Sequence, residues 1–399
     1  MTTYKSQIIS SQVANYPAGL KNEYIVIPSQ SAPTFGGQFT IQFNQFNLFL
    51  HDIILNFNCS ALTTVTSSGA TFATNCPRIN PIPFWCQKIE IKLGSSVIQT
   101  LYDVDLFQYI QLWSQDEQHR LFSNNAMGLY SSALDRYTLS QNTSDYYLPL
   151  KCFLNATHIP IVSLGQMITM NIYMQPLANL TTTTLTSGTL TSQSMTINSC
   201  SALCRTTKMT PQIVNDITMT LTKTPTTFFF SDRKYQSFTA QSGINQFTGV
   251  LSNIQGRVQA LYFIVRPTNG LTGDNEFNYT AISQFEIRDG GSQNIVGGSP
   301  IKSSFNQSLQ MSAWTKTWYA NDSYTGVSNS YVYLYAFSID PLVDISTGKP
   351  SGGSRQFTGT ESLILYFNSA LSTSYQIDVY AYVQSGICLT ATSGQKVNV

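Results

Sequence analysis

The sequence predicts an all-β chain of two tandem antiparallel β domains with a few short helices. Three observations carry this. Apolar and polar residues alternate with a period of two along most apolar stretches. Those stretches are short and are separated by Gly, Asn, Ser and Pro. One strand-and-turn pattern also recurs about half a chain later: Ile89-Glu90-Ile91-Lys92-Leu93-Gly94 is echoed by Phe285-Glu286-Ile287-Arg288-Asp289-Gly290.

The elements follow in chain order. Phe39-Thr40-Ile41-Gln42-Phe43-Asn44 alternates and reads as a half-buried strand, and Phe49 to Phe57 is a second strand-like run. Gln87 to Leu93 places Ile89, Ile91 and Leu93 on one face. Leu106, Tyr109, Ile110 and Trp113 fall at i, i+3, i+4 and i+7, which predicts a helix to about Gln118 with Asp103 as N-cap. Leu180 to Ser194 is nearly all Thr, Ser and Leu and reads as an exposed loop, because such a tract cannot build a core of its own. Thr210-Pro211 followed by Ile213, Val214 and Ile217 predicts a second helix with Pro at its first position. The second half repeats the scheme with a strand at Val258 to Val265, the echoed motif, and a Trp-bearing segment around Trp314 that matches the one around Trp113. Tyr331 to Phe337 is a run of β-formers, and Tyr375 to Gln384 puts Ile377, Val379, Ala381 and Val383 on one face. Gly290 to Ser299 and Thr347 to Ser354 read as loops. The boundary between the halves falls near Thr210 to Thr226.

Composition narrows the function. The chain has 399 residues with 21 basic and 20 acidic side chains, a net charge of +1. Charged residues make up 10%, against about 25% in ordinary soluble proteins. Hydrophobic residues at 42% and aromatics at 12% exclude a disordered chain. The absence of a basic excess argues against a partner bound through nucleic-acid phosphates. No stretch approaches the ~20 apolar residues of a membrane-spanning helix. Met1 to Leu20 is polar and lacks a hydrophobic signal core, so the secretory route is not expected. Seven cysteines, an odd number, fit buried free thiols in a reducing compartment better than a disulfide framework.

Catalytic patterns are sparse. There is no Gly-x-Ser-x-Gly elbow and no His-Glu-x-x-His. Gly348-Lys349 is followed by Pro350 and lacks the rest of a phosphate loop. Asp103 with Asp105, and Asp116 with Glu117, are the available carboxylate pairs for a jelly-roll glycosidase, but both suit helix ends and surfaces. Three histidines (His51, His119, His158) and the Cys200/Cys204 pair do not complete a metal site. Trp314, Trp318 and Tyr319 could stack on sugars, which keeps a tandem β-sandwich carbohydrate-binding or adhesin protein as the alternative reading. Asn-x-Ser/Thr sequons, such as those at Asn58, Asn142 and Asn179, are expected by chance in so Asn-, Ser- and Thr-rich a chain.

In this order the segments resemble the double jelly-roll major capsid proteins of icosahedral DNA viruses: large eukaryotic DNA viruses, virophages and Polinton-like viruses. Lys88 to Ile98 looks like that family's strand, Gly turn and strand, followed by a Trp-bearing helix as at Trp113. Leu148-Pro149-Leu150 with Phe153, then Ile159-Pro160 and Leu164, is similar to its Leu-Pro-Leu-x-x-Phe segment before a strand, here Met167 to Met174. Val258 to Arg266 resembles the early strand of its second jelly roll. Tyr335 to Pro341, Pro350-Ser351-Gly352-Gly353 and Phe357-Thr358-Gly359 follow its C-terminal pattern, although Gln356-Phe357-Thr358-Gly359 is a degenerate form of the family's Asn-Phe-Ser-Arg. Val379-Tyr380-Ala381-Tyr382 and Ser393-Gly394 resemble its terminal strand and Gly.

The resemblance implies two tandem eight-stranded antiparallel jelly rolls at residues 23–212 and 226–399, with an N-terminal arm at 1–22 and a linker at 213–225. It implies a structural subunit of the virion shell, made in the host cell interior, that forms homotrimeric, pseudo-hexagonal capsomers. The implied partners are further copies of the chain, neighbouring capsomers, and penton and minor capsid proteins. Through the arm they extend to an internal membrane, and no sequence-specific nucleic acid is among them. Leu180 to Ser194 and Gly270 to Asn278 are expected as outward towers. No residue is nominated for catalysis, for a cofactor or for a metal.

Overall fold

The structure is a computed structural model that describes residues 20–43, 48–103, 133–156, 159–160, 166–268, 279–290, 293–295, 300–302, 332–338, 353–391 and 393–398. The expected helix at Leu106 to Gln118, Trp113, Trp314, Trp318, Tyr319 and the Gly270 to Asn278 loop lie outside these residues.

The first half supplies β1 (Leu20–Pro28), β2 (Gln38–Phe43), β3 (Leu48–Cys59), β4 (Cys86–Leu93), β5 (Ser96–Tyr102), β6 (Ser144–Leu150), β7 (Ile168–Met174) and β8 (Ile197–Met209). They pair antiparallel in two four-stranded sheets, β1-β8-β3-β6 and β2-β7-β4-β5. Alternation selects the inner faces: in β7 every second residue, from Ile168 to Met174, is buried. The two inner faces close over one core. Trp85 sits in it among Phe35, Phe57 and Tyr146, with centroids at 5.4, 6.1 and 4.6 Å. Its indole N–H donates to the Asn80 carbonyl at 2.7 Å, so this large side chain is buried with its polar atom satisfied.

The second half supplies β9 (Thr226–Ala240), β10 (Gln246–Val250), β11 (Gln255–Pro267), β12 (Gln284–Asp289), β13 (Gln293–Asn294), β14 (Val332–Ala336), β15 (Ser362–Tyr366) and β16 (Tyr375–Leu389). Its sheets run β9-β16-β11-β14 and β10-β15-β12-β13. Each position in the first pair of sheets is therefore matched by the strand whose label is eight higher. Two jelly rolls of one topology stand in tandem. Short extra strands extend the second: Arg355–Thr358 pairs with β11 and Gly394–Asn398 with β16.

Three α-helices are described: α1 (Ala133–Ser140), α2 (Phe153–Ala156) and α3 (Pro211–Lys223). The last is the helix expected after Thr210, and it occupies most of the segment read as a linker.

The Thr- and Ser-rich tract 180–194 is not the irregular loop its composition suggests. It pairs antiparallel with the connection between β3 and β4: Thr181–Thr182 with Arg78–Ile79, Leu185–Ser187 with Thr71–Phe72, and Leu190–Ser194 with Thr63–Thr66. Backbone ladders need no apolar side chains, and a partner more than a hundred residues away does not show in a local reading.

Candidate assembly surfaces

The duplicated motif builds the same polar group twice. Glu90 on β4 meets Lys88 and Lys92, the latter at 3.3 Å, and accepts from the Tyr173 hydroxyl of β7 at 3.0 Å. Glu286 on β12 meets Arg288 at 2.8 Å and accepts from the Tyr366 hydroxyl of β15 at 2.5 Å. The registers agree, for Tyr173 lies opposite Lys88 and Tyr366 opposite Gln284, each two residues before its glutamate. The glycines that end both copies have positive φ, 58° at Gly94 and 46° at Gly290, which the tight turn requires. Burial resists ionisation of both glutamates. The hydroxyl and the neighbouring cations outweigh it, so both carboxyls sit below the usual range.

A second surface joins the rolls. The outer face of the β9-β16-β11-β14 sheet packs on the edge of the first roll, so Tyr262, Tyr380 and Tyr382 fall in the same buried cluster as the first core. Tyr102 of β5 meets Tyr235 of β9 at 5.0 Å, Tyr235 meets Tyr380 at 4.9 Å, and Tyr380 stacks on Tyr262 at 4.7 Å. Arg233 lies over the Tyr382 ring at 5.0 Å. Phe153 of α2 meets Phe230 at 5.5 Å.

Polar bonds hold the same seam. The buried Gln99 of β5 donates to the Ser231 carbonyl at 3.0 Å and accepts from the Phe153 N–H at 2.8 Å. Lys396 donates to the Ile98 carbonyl and to Asp232, each at 2.6 Å. Tyr380 donates to Asp103 at 3.4 Å, so the residue expected as a helix N-cap is buried at the seam. Asp378 is wholly buried, ion-paired with Arg266 at 2.6 Å and accepting from Tyr235 at 2.8 Å. Burial works against the Arg266 charge, but Asp378 overrides it and raises the pKa.

The other chemically suggestive residues do not assemble into a reactive site among the described residues. His51 shares a hydrogen bond with Thr207 at 2.6 Å, and burial first, then Arg205, lowers its pKa. Cys200 and Cys204 are buried on β8. Burial raises Cys204 to about 12. Asp105, Asp116, Glu117, His119 and His158 lie outside the described residues. No group of three or more His, Cys, Asp or Glu among the described residues is placed to hold a metal, and no described helix is long and apolar enough to cross a membrane.

Residues 22–221, half of the chain, match the family described as the major capsid protein N-terminus. The chain belongs to the major capsid protein family. Its fold is that of solved capsid structures. The PBCV-1 virus capsid matches with a TM-score of 0.67 and 14% identity over 95% of this chain and 97% of that one. The Faustovirus major capsid protein matches at 0.67 and 10% identity, over 94% and 91%. The Sputnik virophage structure matches at 0.61 and 12% identity, over 96% and 89%. No curated protein sequence matches significantly. As a major capsid protein the chain is a structural subunit of the virion shell and associates with other copies of itself. The seam between its two rolls is then the inside of one building block. Sequence reasoning did not find the seam residues, although Tyr380 and Tyr382 could have been noticed. They alternate with Val379, Ala381 and Val383, so β16 is apolar on both faces, the mark of a strand covered on both sides.

Proposed function

We propose that three copies of this capsid protein form a closed capsomer with six jelly rolls and a pseudo-hexagonal outline, and that such capsomers tile an icosahedral shell. The observation that supports this best is the strand-for-strand equivalence of the two rolls, fused through a buried seam. One chain thereby supplies two near-equal sides of a ring, and three chains supply six. Residues 23–212 and 226–399 act as the two rolls, with 213–225 as the connection between them. The ladders of 63–79 with 181–194 serve as an outward tower, and residues 1–22 serve as an arm on the inner face, against neighbours or an internal membrane. Penton and minor capsid proteins complete the shell. The role is mechanical, without catalysis and without sequence-specific contact to nucleic acid.

The test is native mass by light scattering on a sizing column, with negative-stain images of the peak. Three chains of 44.2 kDa give about 133 kDa with a hexagonal outline. A 44.2 kDa monomer at micromolar concentration overturns the proposal.

A further inference from the structure

One element of the second roll has no counterpart among the described residues of the first. β8 passes through Thr210 into α3. Its equivalent, β16, turns back at Thr390 and Ser393 and pairs with the short strand Gly394–Asn398. That strand lies along the Ser385–Leu389 end of β16. β9 holds the other edge of this stretch, and β11 pairs with β16 only from Val383 back to Tyr375. Gly386 lets the short strand lie close, for a Cβ there would stand 3.2 Å from the Val397 side chain. The position puts Lys396 at the seam. Its ammonium donates to the Ile98 carbonyl of the first roll and to Asp232 of the second, each at 2.6 Å. The Lys396 side chain is 27% exposed and that of Asp232 5%. A bulge prepares the acceptor in the first roll. β5 slips register between Gln99, opposite Ile91, and Val97, opposite Lys92, so Ile98 is left without a partner in β4 and its carbonyl is open to an outside donor. Next to it, Gln99 reaches the Ser231 carbonyl beside Asp232.

We infer that Gly394–Asn398 is a strap that locks the two rolls against each other, and that its release opens the seam while both rolls stay folded. The inference rests on the seam and not on the capsomer reading. Lifting the strap takes one ammonium from two acceptors at once. The Asp232 carboxylate is then buried without its cation, which costs far more than the closed pair contributes, so water must enter beside Gln99 and Ser231 to solvate it. Release of the strap and wetting of the seam are therefore one event. The strap is also the element that opens first. It pairs over five residues with one neighbour, whereas β9 and β16 pair over fifteen. Short elements with few bonds open at the lowest free energy. Neither core depends on it directly. Trp85 and its aromatic neighbours lie inside the first roll, and the second roll's own core, around Phe263 and Phe285, lies on the far face of the seam sheet. Such a device lets the angle between the rolls adjust before a subunit is fixed in the shell.

Hydrogen exchange of the full chain, read by mass spectrometry, follows opening segment by segment. In wild type, residues 394–398, 96–102 and 230–233 should open together and more readily than 168–174 and 285–287 inside the two rolls. Lys396→Met keeps the stem and removes the ammonium. It should speed exchange about ten-fold or more in the first three segments and leave the last two unchanged. Lys396→Arg, which keeps a cation, should restore most of the protection. Lys208→Met, at an exposed lysine of β8, should match wild type. Faster exchange confined to 385–398 overturns the inference, because the strap then frays without governing the seam. An equal rise in all five segments overturns it too, because the pair then supports the whole fold. Should Lys396→Met not fold, wild type decides alone: protection of 96–102 that follows 168–174 rather than 394–398 overturns the inference.

Discussion

Gln99 shows how a single side chain can matter to a shell subunit. Its amide satisfies one backbone donor and one backbone acceptor on opposite sides of the seam. Gln99→Leu keeps the volume and strands both, at a cost of about 1–3 kcal/mol for each buried group left unpaired. Denaturant unfolding should show that loss, and an unchanged midpoint would mean water replaces the amide. The two glutamates make a pH prediction. Their folded pKa values are lowered, so their contribution is present above the ordinary glutamate value of about 4.3 and is lost as pH falls through the lower folded value. Melting temperature measured from pH 6 down to pH 3 should drop less steeply in Glu286→Gln than in wild type. Equal slopes would show that Glu286 contributes nothing. Six of the seven cysteines are buried and Cys388 is half-buried. Burial raises Cys59 to about 12 and Cys152 to about 11. A thiol reagent at pH 8 should therefore titrate about one thiol in the native chain and all seven after unfolding.

At the scale of elements, the paired ladders of 63–79 with 181–194, the proposed tower, are the part most separable from the core. Its tip holds Gly188 at φ 84°, and a Cβ there would stand 2.4 Å from that of Ala70. Gly188→Ala should loosen the pairing of Leu185–Ser187 with Thr71–Phe72 and speed proteolysis near residue 188, with the global melting temperature unchanged. A matching fall in global stability would show that the tower folds as one unit with the roll. The strands divide by how many of their faces are covered. β4 was legible from its own alternation, whereas β7, which alternates as cleanly, was expected only through the family resemblance. β11 carries eight buried residues in succession, from Val258 to Val265, because the core takes one face and the seam the other. Its apolar run marks it as buried without saying by what.

The whole molecule is a block with one internal seam and a repeated topology, and its assembly should reflect how few charges it carries. With 10% charged residues and a net charge of +1 the chain has few ion pairs to offer between copies, so the oligomer should survive about 1 M salt, where charges act over only about 3 Å. Dissociation to monomers there, read by light scattering, would point to an ionic interface instead. The echo between residues 89–94 and 285–290 was enough to suggest two related domains. The structure extends that echo to the register of β7 and β15, and to Tyr173 and Tyr366, which share no local sequence pattern.

What the sequence determined by itself is everything carried by near neighbours along the chain. That includes the alternation that makes strands, the proline that starts α3, the glycines that turn after β4 and β12, and the ordered motifs that resemble a capsid family. What only the tertiary structure decided is which second face each strand buries. Tyr262, Tyr380 and Gln99 are drawn from distant segments, and their burial depends on a surface supplied by the other roll. Hydrophobic burial is non-directional and acts on area rather than on sequence distance. A pattern read along the chain can therefore show that a face is apolar, while only the packed rolls show what covers it.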